Sequence, residues 1–488
     1  MLLRHRFLLI SFVEGASVMA AEISGARLLA PFFGSSLPVW SAVMAVTLAG
    51  LASGYFLGGR LSRRPNREKI LLVVLLAAAC ALLSMTFLGR VFYLAGAYLP
   101  LLPAVVLSVV VLIFPATLFM GATSPLIIAI LTQEHRESGA NSGKIYAIST
   151  LGGILATFLC GFYLLPVVGV KATLSGFAGA MFLVSVLVKA RPYPRTLLAV
   201  LFLTGALAVY GFVRAPKNPF LVYEEEGILG KLEIREEPPR SQDGAPVRKL
   251  LINTIVQTEM DVASRKSVSA YVNLLERNLD GFPAGKALVL GLGGGLVANM
   301  LAEHQYQVKG VEFDQRVIDM AKHFFYLNPS VETVCDDARH FLNADTCKWS
   351  LVLFDIFKAE EQPAHVITRQ SLRQLKTLLD TDAVVLINTH GYLTGEKGRG
   401  TLCLIATLAD AGFHLRLCAS ADNEAYRNLL VVASLRPFSR QLYHELPVPI
   451  LTPDGPINDD DRPVMEQLNA AANQEWRSNY IRHYIFAR

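Results

Sequence analysis

The first 214 residues consist mainly of apolar runs about 20 residues long, separated by short polar segments. A helix needs about 20 apolar residues to cross the hydrocarbon core of a bilayer. The first run leads into further runs rather than to a cleavage site, which argues against a signal peptide. Residues 1–214 are therefore predicted to form an integral membrane domain of about seven helices. The runs lie near residues 7–31, 38–59, 70–89, 102–131, 146–166, 171–189 and 195–213.

Three charged residues interrupt the first apolar run, at Glu14, Glu22 and Arg27. Charged groups at that depth normally face a protein interior or a wet cavity and pair with one another. Two interpretations follow: a polar site or ion path between helices, or an internal ion pair with a structural role. The small residues of Gly50–Gly54 and Gly58–Gly59 predict close helix packing.

The second half of the chain follows a different pattern. Residues 215–220 form a linker, and short alternating runs between Leu221 and Met260 predict a small antiparallel hairpin module, followed by a helix around 266–278. From Lys286 onward, strands alternate with helices, which predicts a doubly wound, mostly parallel sheet with ligands at the carboxyl ends of its strands. The predicted strands are 287–291, 308–312, 350–354, 383–388 and 429–434, and the helices lie near 296–304, 315–325, 367–379 and 401–411.

A glycine cluster directly follows the first of these strands. Glycine lets the backbone turn tightly and approach a ligand closely, and the helix that follows presents free N–H groups. Glu312, about 20 residues further on at the end of the next strand, is placed to accept the hydroxyls of a ribose. This order of elements predicts a nucleoside site. The glycines are Gly291, Gly293, Gly294 and Gly295.

Further acids follow the later strands. Asp336 and Asp337 precede Ala338, where a carboxylate and an adjacent backbone amide could read an adenine edge, and Asp355 follows the strand that ends at Phe354. A single acid in such a place is usually a solvated loop residue or a helix N-cap. Its recurrence at successive strand ends favours one shared crevice for Glu312 and Asp355.

Composition separates the two halves and limits the partners. Residues 1–214 contain 16 Lys and Arg against 5 Asp and Glu, a net charge of +11, whereas the remainder has a net charge of −6. The basic residues thus belong to the loops of the apolar half, and they do not indicate nucleic-acid binding. The six cysteines are scattered without CxxC or His/Cys spacing, so we predict free thiols, with neither a metal site nor a disulfide framework.

Several motifs resemble those of a known family. The region from about Leu221 to Ser434 resembles the spermidine synthase (polyamine aminopropyltransferase) family. The whole chain resembles its membrane-fused branch, in which a multi-helix domain precedes the synthase-like domain. The motifs are NTIVQTEMD at 253–261, GLGGG at 291–295, VEFD at 311–314, DDARHFL at 336–342, LVLFD at 351–355, ExxxARLLAPFFGSSLPVW from Glu22, and DDDRPVME at 459–466.

The resemblance implies a fold, a ligand and a role for each site residue. The fold is a multi-pass helical membrane domain (1–214), a linker with a β module and helix (215–282), and a Rossmann-like domain (283–488). The ligand is decarboxylated S-adenosylmethionine or S-adenosylmethionine, used as a co-substrate without a metal. Its nucleoside would be held by Gly291, Gly293, Gly295, Glu312 and Gln257, and its adenine by Asp336, Asp337 and Ala338, with Asp355 as the general base.

Three positions depart from the family pattern. All three are positions at which, by the resemblance, the family binds the aminopropyl amine of the donor or the amines of the acceptor. Gly294 stands where the soluble synthases carry an aspartate that holds the aminopropyl amine. Val272 replaces the histidine of their YHE motif, and Lys358 replaces a second amine-binding acid. The nucleoside half of the site is therefore retained while the diamine half is changed, which leaves the acceptor open.

Three functions remain open on the sequence. The first is a spermidine synthase-like transferase that moves an aminopropyl group to an amine acceptor, in polyamine biosynthesis. The second is a methyltransferase, or another enzyme that consumes S-adenosylmethionine, acting on a membrane-delivered substrate. The third is a sensor or transporter in which the nucleoside domain gates the membrane half. Soluble members of the family commonly form dimers, so the resemblance also implies a homodimer.

The apolar runs and basic loops predict a multi-pass protein of the cell membrane. Two arguments disagree on which side of the membrane the soluble half lies. The positive-inside rule places the clusters at 60–69 and 189–195 in the cytoplasm, together with Arg4 and Arg6. Seven spans from there would leave the C-terminal half outside. A nucleoside made in the cytoplasm favours the inner side.

Overall fold

The chain forms two compact units. The first comprises Met1–Asn218 with Glu226–Gly230, and the second comprises Pro219–Glu225 with Lys231–Arg488. A computed structural model describes residues 2–33, 37–88, 92, 99, 101–132, 138–188, 218–227, 230–239, 244–357, 363, 365–437, 440–450 and 455–484.

The described part of the first unit is helical. Five of its segments are long and apolar enough to cross a membrane, namely His5–Ala30, Val39–Leu61, Arg67–Met85, Pro103–Leu131 and Ser138–Val168. The sixth predicted run forms a shorter apolar helix, and the seventh, 195–213, lies outside the described residues. The helices are α1 (Leu2–Phe33), α2 (Leu37–Leu61), α3 (Arg67–Met85), α4 (Leu101–Leu131), α5 (Ser138–Leu159, continued by a π-helical segment, Cys160–Val168) and α6 (Val170–Ser185).

Glycines allow two helix pairs to approach backbone to backbone. A Cβ built at Gly152 of α5 would overlap with the carbonyl oxygen of Phe12 in α1, and one at Gly15 would overlap with the carbonyl of Ser149. Gly54 and Gly58 of α2 meet the backbone of α4 in the same way, which supports the predicted packing role of that stretch. Close approach of this kind is how helices associate where no hydrophobic force acts between them.

Arg6, near the start of α1, contacts the start of α3 and the end of α6 at one end of the helical bundle. Its Nη2 lies 2.9 Å from Glu68 Oε1 at the start of α3, and its Nη1 donates to the carbonyl of Leu187, just beyond α6. The basic loop after α2 lies at this same end of the bundle, next to the start of α3. The predicted side of the membrane for this end stays a prediction.

Glu14 is buried in this helical unit, with 2% of its surface exposed. The Ser149 hydroxyl donates to Glu14 Oε2 over 2.9 Å. The glycine beside it, Gly15, permits the close approach of α5 that brings this hydroxyl to the carboxyl group. The pairing expected for Glu22 and Arg27 stays a prediction.

The second unit begins with the β module. Its four strands form an antiparallel sheet in the order β1-β2-β3-β4. Helix α7 (Ala270–Asn278) and a 3₁₀ turn (Leu279–Gly281) follow. The strands are β1 (Leu221–Glu225), β2 (Leu232–Glu237), β3 (Val247–Ile252) and β4 (Ile255–Asp261).

The larger sheet has eight strands in the order β12-β10-β11-β9-β8-β5-β6-β7. Five neighbouring strands pair in parallel, in the order β9-β8-β5-β6-β7. Beyond β9, the strands β11, β10 and β12 each pair antiparallel with the strand before them. The strands are β5 (Lys286–Leu290), β6 (Gln307–Glu312), β7 (Glu332–Cys335), β8 (Trp349–Phe354), β9 (Leu379–His390), β10 (His414–Ala419), β11 (Asn428–Ser434) and β12 (Glu445–Leu446). The helices are α8 (Leu296–Glu303), α9 (Gln315–Phe324), α10 (Ala338–Ala344), α11 (Arg369–Thr377), α12 (Gly395–Asp410) and α13 (Met465–Tyr484).

Both faces of this sheet are covered, as expected of a doubly wound fold. Along β5, Ala287 and Val289 contribute to one apolar core and Leu288 and Leu290 to the other. The predicted α/β order is confirmed, but the sheet is less parallel than predicted because three strands, β11, β10 and β12, extend it beyond β9 by antiparallel pairing. Pattern reasoning also missed short or polar elements, namely β7, β10, β12, α10 and α13.

The helix packing yields a test with a matched control on the same helix. Gly152→Leu should destabilise the protein by about 1–3 kcal/mol, because the added side chain meets the backbone of α1. At about 2–4 °C per kcal/mol, this lowers the melting temperature by roughly 2–12 °C. Gly143→Leu should leave it unchanged, since a Cβ at that position meets no atom within 4 Å. Thermal unfolding in detergent, followed by size-exclusion chromatography, measures both; equal melting temperatures would contradict this packing.

Candidate active site

The strand order creates a crevice between β5 and β8. From β5 the chain continues outward to β6 and β7, whereas β8 and β9 lie on the other side of β5. Ligands of open α/β sheets bind where the order reverses in this way, at the carboxyl ends of the strands. Glu312 ends β6, Gly291 directly follows β5, and Asp355 directly follows β8.

The glycine turn after β5 depends on glycine at several positions. Gly291, Gly293 and Gly295 have φ of +89°, +51° and +76°, in the left-handed region that favours glycine. A Cβ at Gly291 would also overlap with the backbone oxygen of Asp355. Helix α8 begins at Leu296, so its free N–H groups lie at this turn. The turn therefore brings backbone donors to the end of β8.

Glu312 joins the glycine turn to the end of β6. Its Oε2 accepts from the N–H of Leu292 over 3.1 Å, and its Oε1 accepts from the N–H of Asp314 over 3.2 Å. Burial raises the pKa of this carboxyl group, and the backbone donors oppose that rise. Each carboxylate oxygen can accept more than one hydrogen bond, so this arrangement leaves acceptor capacity for a ligand hydroxyl.

The predicted adenine residues lie at the start of α10. The Asp337 carboxylate is the N-cap of this helix and accepts from the N–H groups of Arg339 and His340 over 2.9 and 3.1 Å. Burial acts to raise the pKa of Asp337, but bonds from His365 and these amides lower it overall. Asp336 instead contacts the ring of His340 at 2.8 Å. Asp337 thus has a structural role here, and adenine binding by Asp336, Asp337 and Ala338 stays a prediction.

Asp355 has two side-chain donors. Tyr271 on α7 donates its hydroxyl to Oδ2, and Asn388 on β9 donates to Oδ1 over 2.8 Å. Asn428 on β11 in turn donates to the Asn388 side chain over 3.0 Å, which fixes its orientation. Burial raises the pKa of Asp355, and the Asn388 and Tyr271 bonds oppose that rise. The carboxylate is therefore a stronger base than an exposed aspartate and is held in one orientation.

Two contacts in the site were not predicted from the sequence. Asn388 is one, and its signal in the sequence is a polar residue that directly follows the apolar stretch 383–387 of β9. The other is Thr258 on β4, whose hydroxyl accepts from the N–H of Gly294 over 2.8 Å. Gln257, the predicted nucleoside residue, is the neighbour of Thr258 and is half-buried. The β module therefore contacts the glycine turn directly.

The departures from the family pattern have structural counterparts. A Cβ at Gly294 would lie 2.7 Å from Thr258 Cγ2 and 3.1 Å from the ring of Phe325, so an aspartate at this position would have to displace these side chains. Val272 is 6% exposed and lies in one of the apolar cores rather than in the crevice. Lys358 lies outside the described residues.

The fold and the site define a class: a Rossmann-like domain with a nucleoside-type glycine turn and a buried, oriented carboxylate. Sequence comparison then finds relatives of a named kind. The chain is 35% identical over 111 residues to the polyamine aminopropyltransferase of Vibrio vulnificus and 26% identical over 149 residues to a probable polyamine aminopropyl transferase of Bifidobacterium longum. Part of the chain is therefore similar in sequence to polyamine aminopropyltransferases.

The matches are partial in length. They cover 21% and 30% of this chain, and 37% and 33% of the relatives, so the chain spans about a third of the length of each. Among solved structures, a probable spermidine synthase from Corynebacterium glutamicum is 17% identical and aligns with 45% of this chain and 81% of its own, with a TM-score of 0.38. No family model matches the sequence. The fused membrane branch stays a prediction.

The contact between Gly294 and Thr258 can be tested with a double-mutant cycle. Gly294→Ala should destabilise the protein by about 1–3 kcal/mol, because the new methyl group meets Thr258 Cγ2. Thr258→Ser keeps the hydroxyl that accepts from Gly294 and removes that methyl group. The double variant Gly294→Ala/Thr258→Ser should therefore be more stable than Gly294→Ala alone, as measured by thermal unfolding. If the two substitutions act additively, the proposed steric contact is wrong.

Proposed function

We propose that the second unit is a transferase that moves an alkyl group, of the aminopropyl type, from a sulfonium nucleoside to an amine. The observation that carries this proposal is the Asp355 carboxylate, oriented by Tyr271 and Asn388 at the end of β8. The nucleoside would occupy the glycine turn and Glu312. The backbone of that turn lies against Asp355, so a donor bound there would lie beside the base.

The chemistry requires a base at this point. An amine is protonated at neutral pH and must lose a proton before its nitrogen can attack a carbon. Asp355 would accept that proton as the new carbon–nitrogen bond forms. The carbon–sulfur bond breaks, and its electron pair remains on sulfur, so the sulfonium becomes a neutral thioether. With decarboxylated S-adenosylmethionine as the donor, the nucleoside product is methylthioadenosine.

The surroundings of Asp355 favour this role. Its raised pKa strengthens the carboxylate as a base. Tyr271 and Asn388 fix both oxygens, so little reorientation is needed when the proton transfers. The negative charge also attracts a cationic acceptor and a sulfonium donor.

One observation favours a second candidate, an enzyme that uses intact S-adenosylmethionine. Gly294 stands where an acid would hold an aminopropyl amine, and Thr258 and Phe325 occupy the space beside it. A methyltransferase would need no such acid. Its substrate would be delivered by the bilayer, which the apolar helices of the first unit are long enough to span.

Binding and turnover separate these candidates. Isothermal titration with methylthioadenosine, S-adenosylmethionine and its decarboxylated form tests the nucleoside site, and binding of at least one is expected. Spermidine formed from putrescine and the decarboxylated donor would establish the aminopropyl reaction. Methyl transfer from the intact donor would establish the second candidate. No binding of any of the three would overturn both.

The role of Asp355 is tested by Asp355→Asn. This variant should retain nucleoside affinity but lose at least about 100-fold in kcat, the lower range for a positioned general base. Asp382→Asn is the matched control, since this exposed aspartate of β9 pairs with Arg436 at the surface. Unchanged turnover in Asp355→Asn would reject the base role.

The hydrogen bonds to Asp355 predict a direction for the pH profile. The base must be ionised, so kcat/KM should fall as the pH falls through the raised pKa of Asp355. Asn388 stabilises the ionised form. Asn388→Leu should therefore raise this pKa further and move the acidic limb of the profile to higher pH. The Asp382→Asn profile should match the wild type, and an acidic limb that moves to lower pH in Asn388→Leu would contradict the assignment.

A further inference from the structure

Helix α13 runs back along α12 toward the site. A Cβ at Gly400, in the first half of α12, would overlap with the Asn469 side chain near the start of α13. Nearer the start of α12, Lys397 Nζ lies 3.3 Å from Glu475 Oε2. The two helices are therefore antiparallel. The second half of α13 reaches the first turn of α12, which follows the carboxyl end of β9.

This path brings Trp476 to the end of β9. Its ring centroid lies 6.5 Å from that of His390, the last residue of the strand, at an interplanar angle of 51°. His390 also contacts Phe357 edge to face, with centroids 6.0 Å apart. Trp476, His390 and Phe357 thus form a continuous row of rings, which we call the aromatic row.

The aromatic row begins beside the proposed base. Phe357 is two residues beyond Asp355, and His390 is two residues beyond Asn388, the residue that donates to Asp355. Because side chains alternate along a strand, Asn388 and His390 lie on the same face of β9. The row therefore extends away from the Asp355 carboxylate, on a different strand from the glycine turn and Glu312.

Two acids near the aromatic row, among the residues that the structure describes, already have basic partners. Glu475 pairs with Lys397, and Glu424, in the loop before β11, pairs with Arg427 at 3.1 Å. Gly294 and Val272, two positions of the family's amine-binding pattern, supply no carboxylate for a diamine. A diamine needs a carboxylate for its second ammonium group, because burying an unpaired ammonium is costly. An apolar body needs none and gains from burial against aromatic rings.

We propose that the acceptor is a monoamine with an apolar or aromatic body, and that Trp476 is the specificity residue that holds this body along the aromatic row. This inference rests on the proposed function, since it requires the amine nitrogen to face Asp355. It assigns the C-terminal helix to the acceptor site and names an acceptor class other than the diamines.

Titration of the full chain loaded with methylthioadenosine tests this proposal, because no turnover occurs with the product nucleoside. The probes are 2-phenylethylamine and putrescine. The wild type should bind 2-phenylethylamine at least tenfold more tightly. Trp476→Ala should weaken 2-phenylethylamine binding about tenfold or more, as expected for the loss of an aromatic contact with its buried area. Putrescine affinity should change less than threefold.

Two further variants keep the test interpretable. Trp476→Phe retains an aromatic ring and should keep most of the affinity for 2-phenylethylamine. Gln474→Ala, on the same helix, should match the wild type. Putrescine binding at least as tightly as 2-phenylethylamine, or an unchanged Trp476→Ala, overturns this inference while leaving the proposed function intact. Failure of methylthioadenosine, S-adenosylmethionine and its decarboxylated form all to bind overturns the proposed function itself, so the two failures are distinct.

Discussion

The close approach of Gly291 to the backbone of Asp355 determines the geometry of the whole site. The N–H of Asp355 donates to the carbonyl of Leu290 over 2.9 Å, so the ends of β5 and β8 are joined where the crevice opens. Any side chain at Gly291 would force these ends apart. The nucleoside turn and the proposed base therefore belong to one rigid backbone unit, and neither could shift without the other.

Around this unit, other elements each contribute one orienting contact. Helix α7 brings Tyr271, β9 brings Asn388, and β4 of the small module brings Thr258 to Gly294. These contacts consolidate the nucleoside half of the crevice. The Gly294 contact also fills the space beside that glycine, where the family resemblance leads us to expect an acid. Under the proposed function, the crevice is thus tightly packed on the donor side and differs from the expected pattern on the acceptor side.

Much of this could be predicted because the signals are local. The strand–glycine–helix order and the acids after successive strands lie within short windows, so β5, β6, β8 and their terminal residues Glu312 and Asp355 were found from pattern alone. The contacts that orient Asp355 could not be found in this way. Asn388 and Tyr271 lie 33 and 84 residues from it, and only the strand order brings them together. The same holds for Trp476 on α13, whose polar sequence gave no sign of its contact with His390.

The sequence by itself determined the division into an apolar helical half and an α/β half, and it located the nucleoside-type turn, because periodicity, glycine placement and charge are read residue by residue. Only the tertiary structure decided what surrounds those residues. It made Asp337 a helix cap and Val272 a core residue, closed the space beside Gly294, and raised the pKa of Asp355 through burial. Burial and space depend on segments distant in the chain, and no local pattern encodes them.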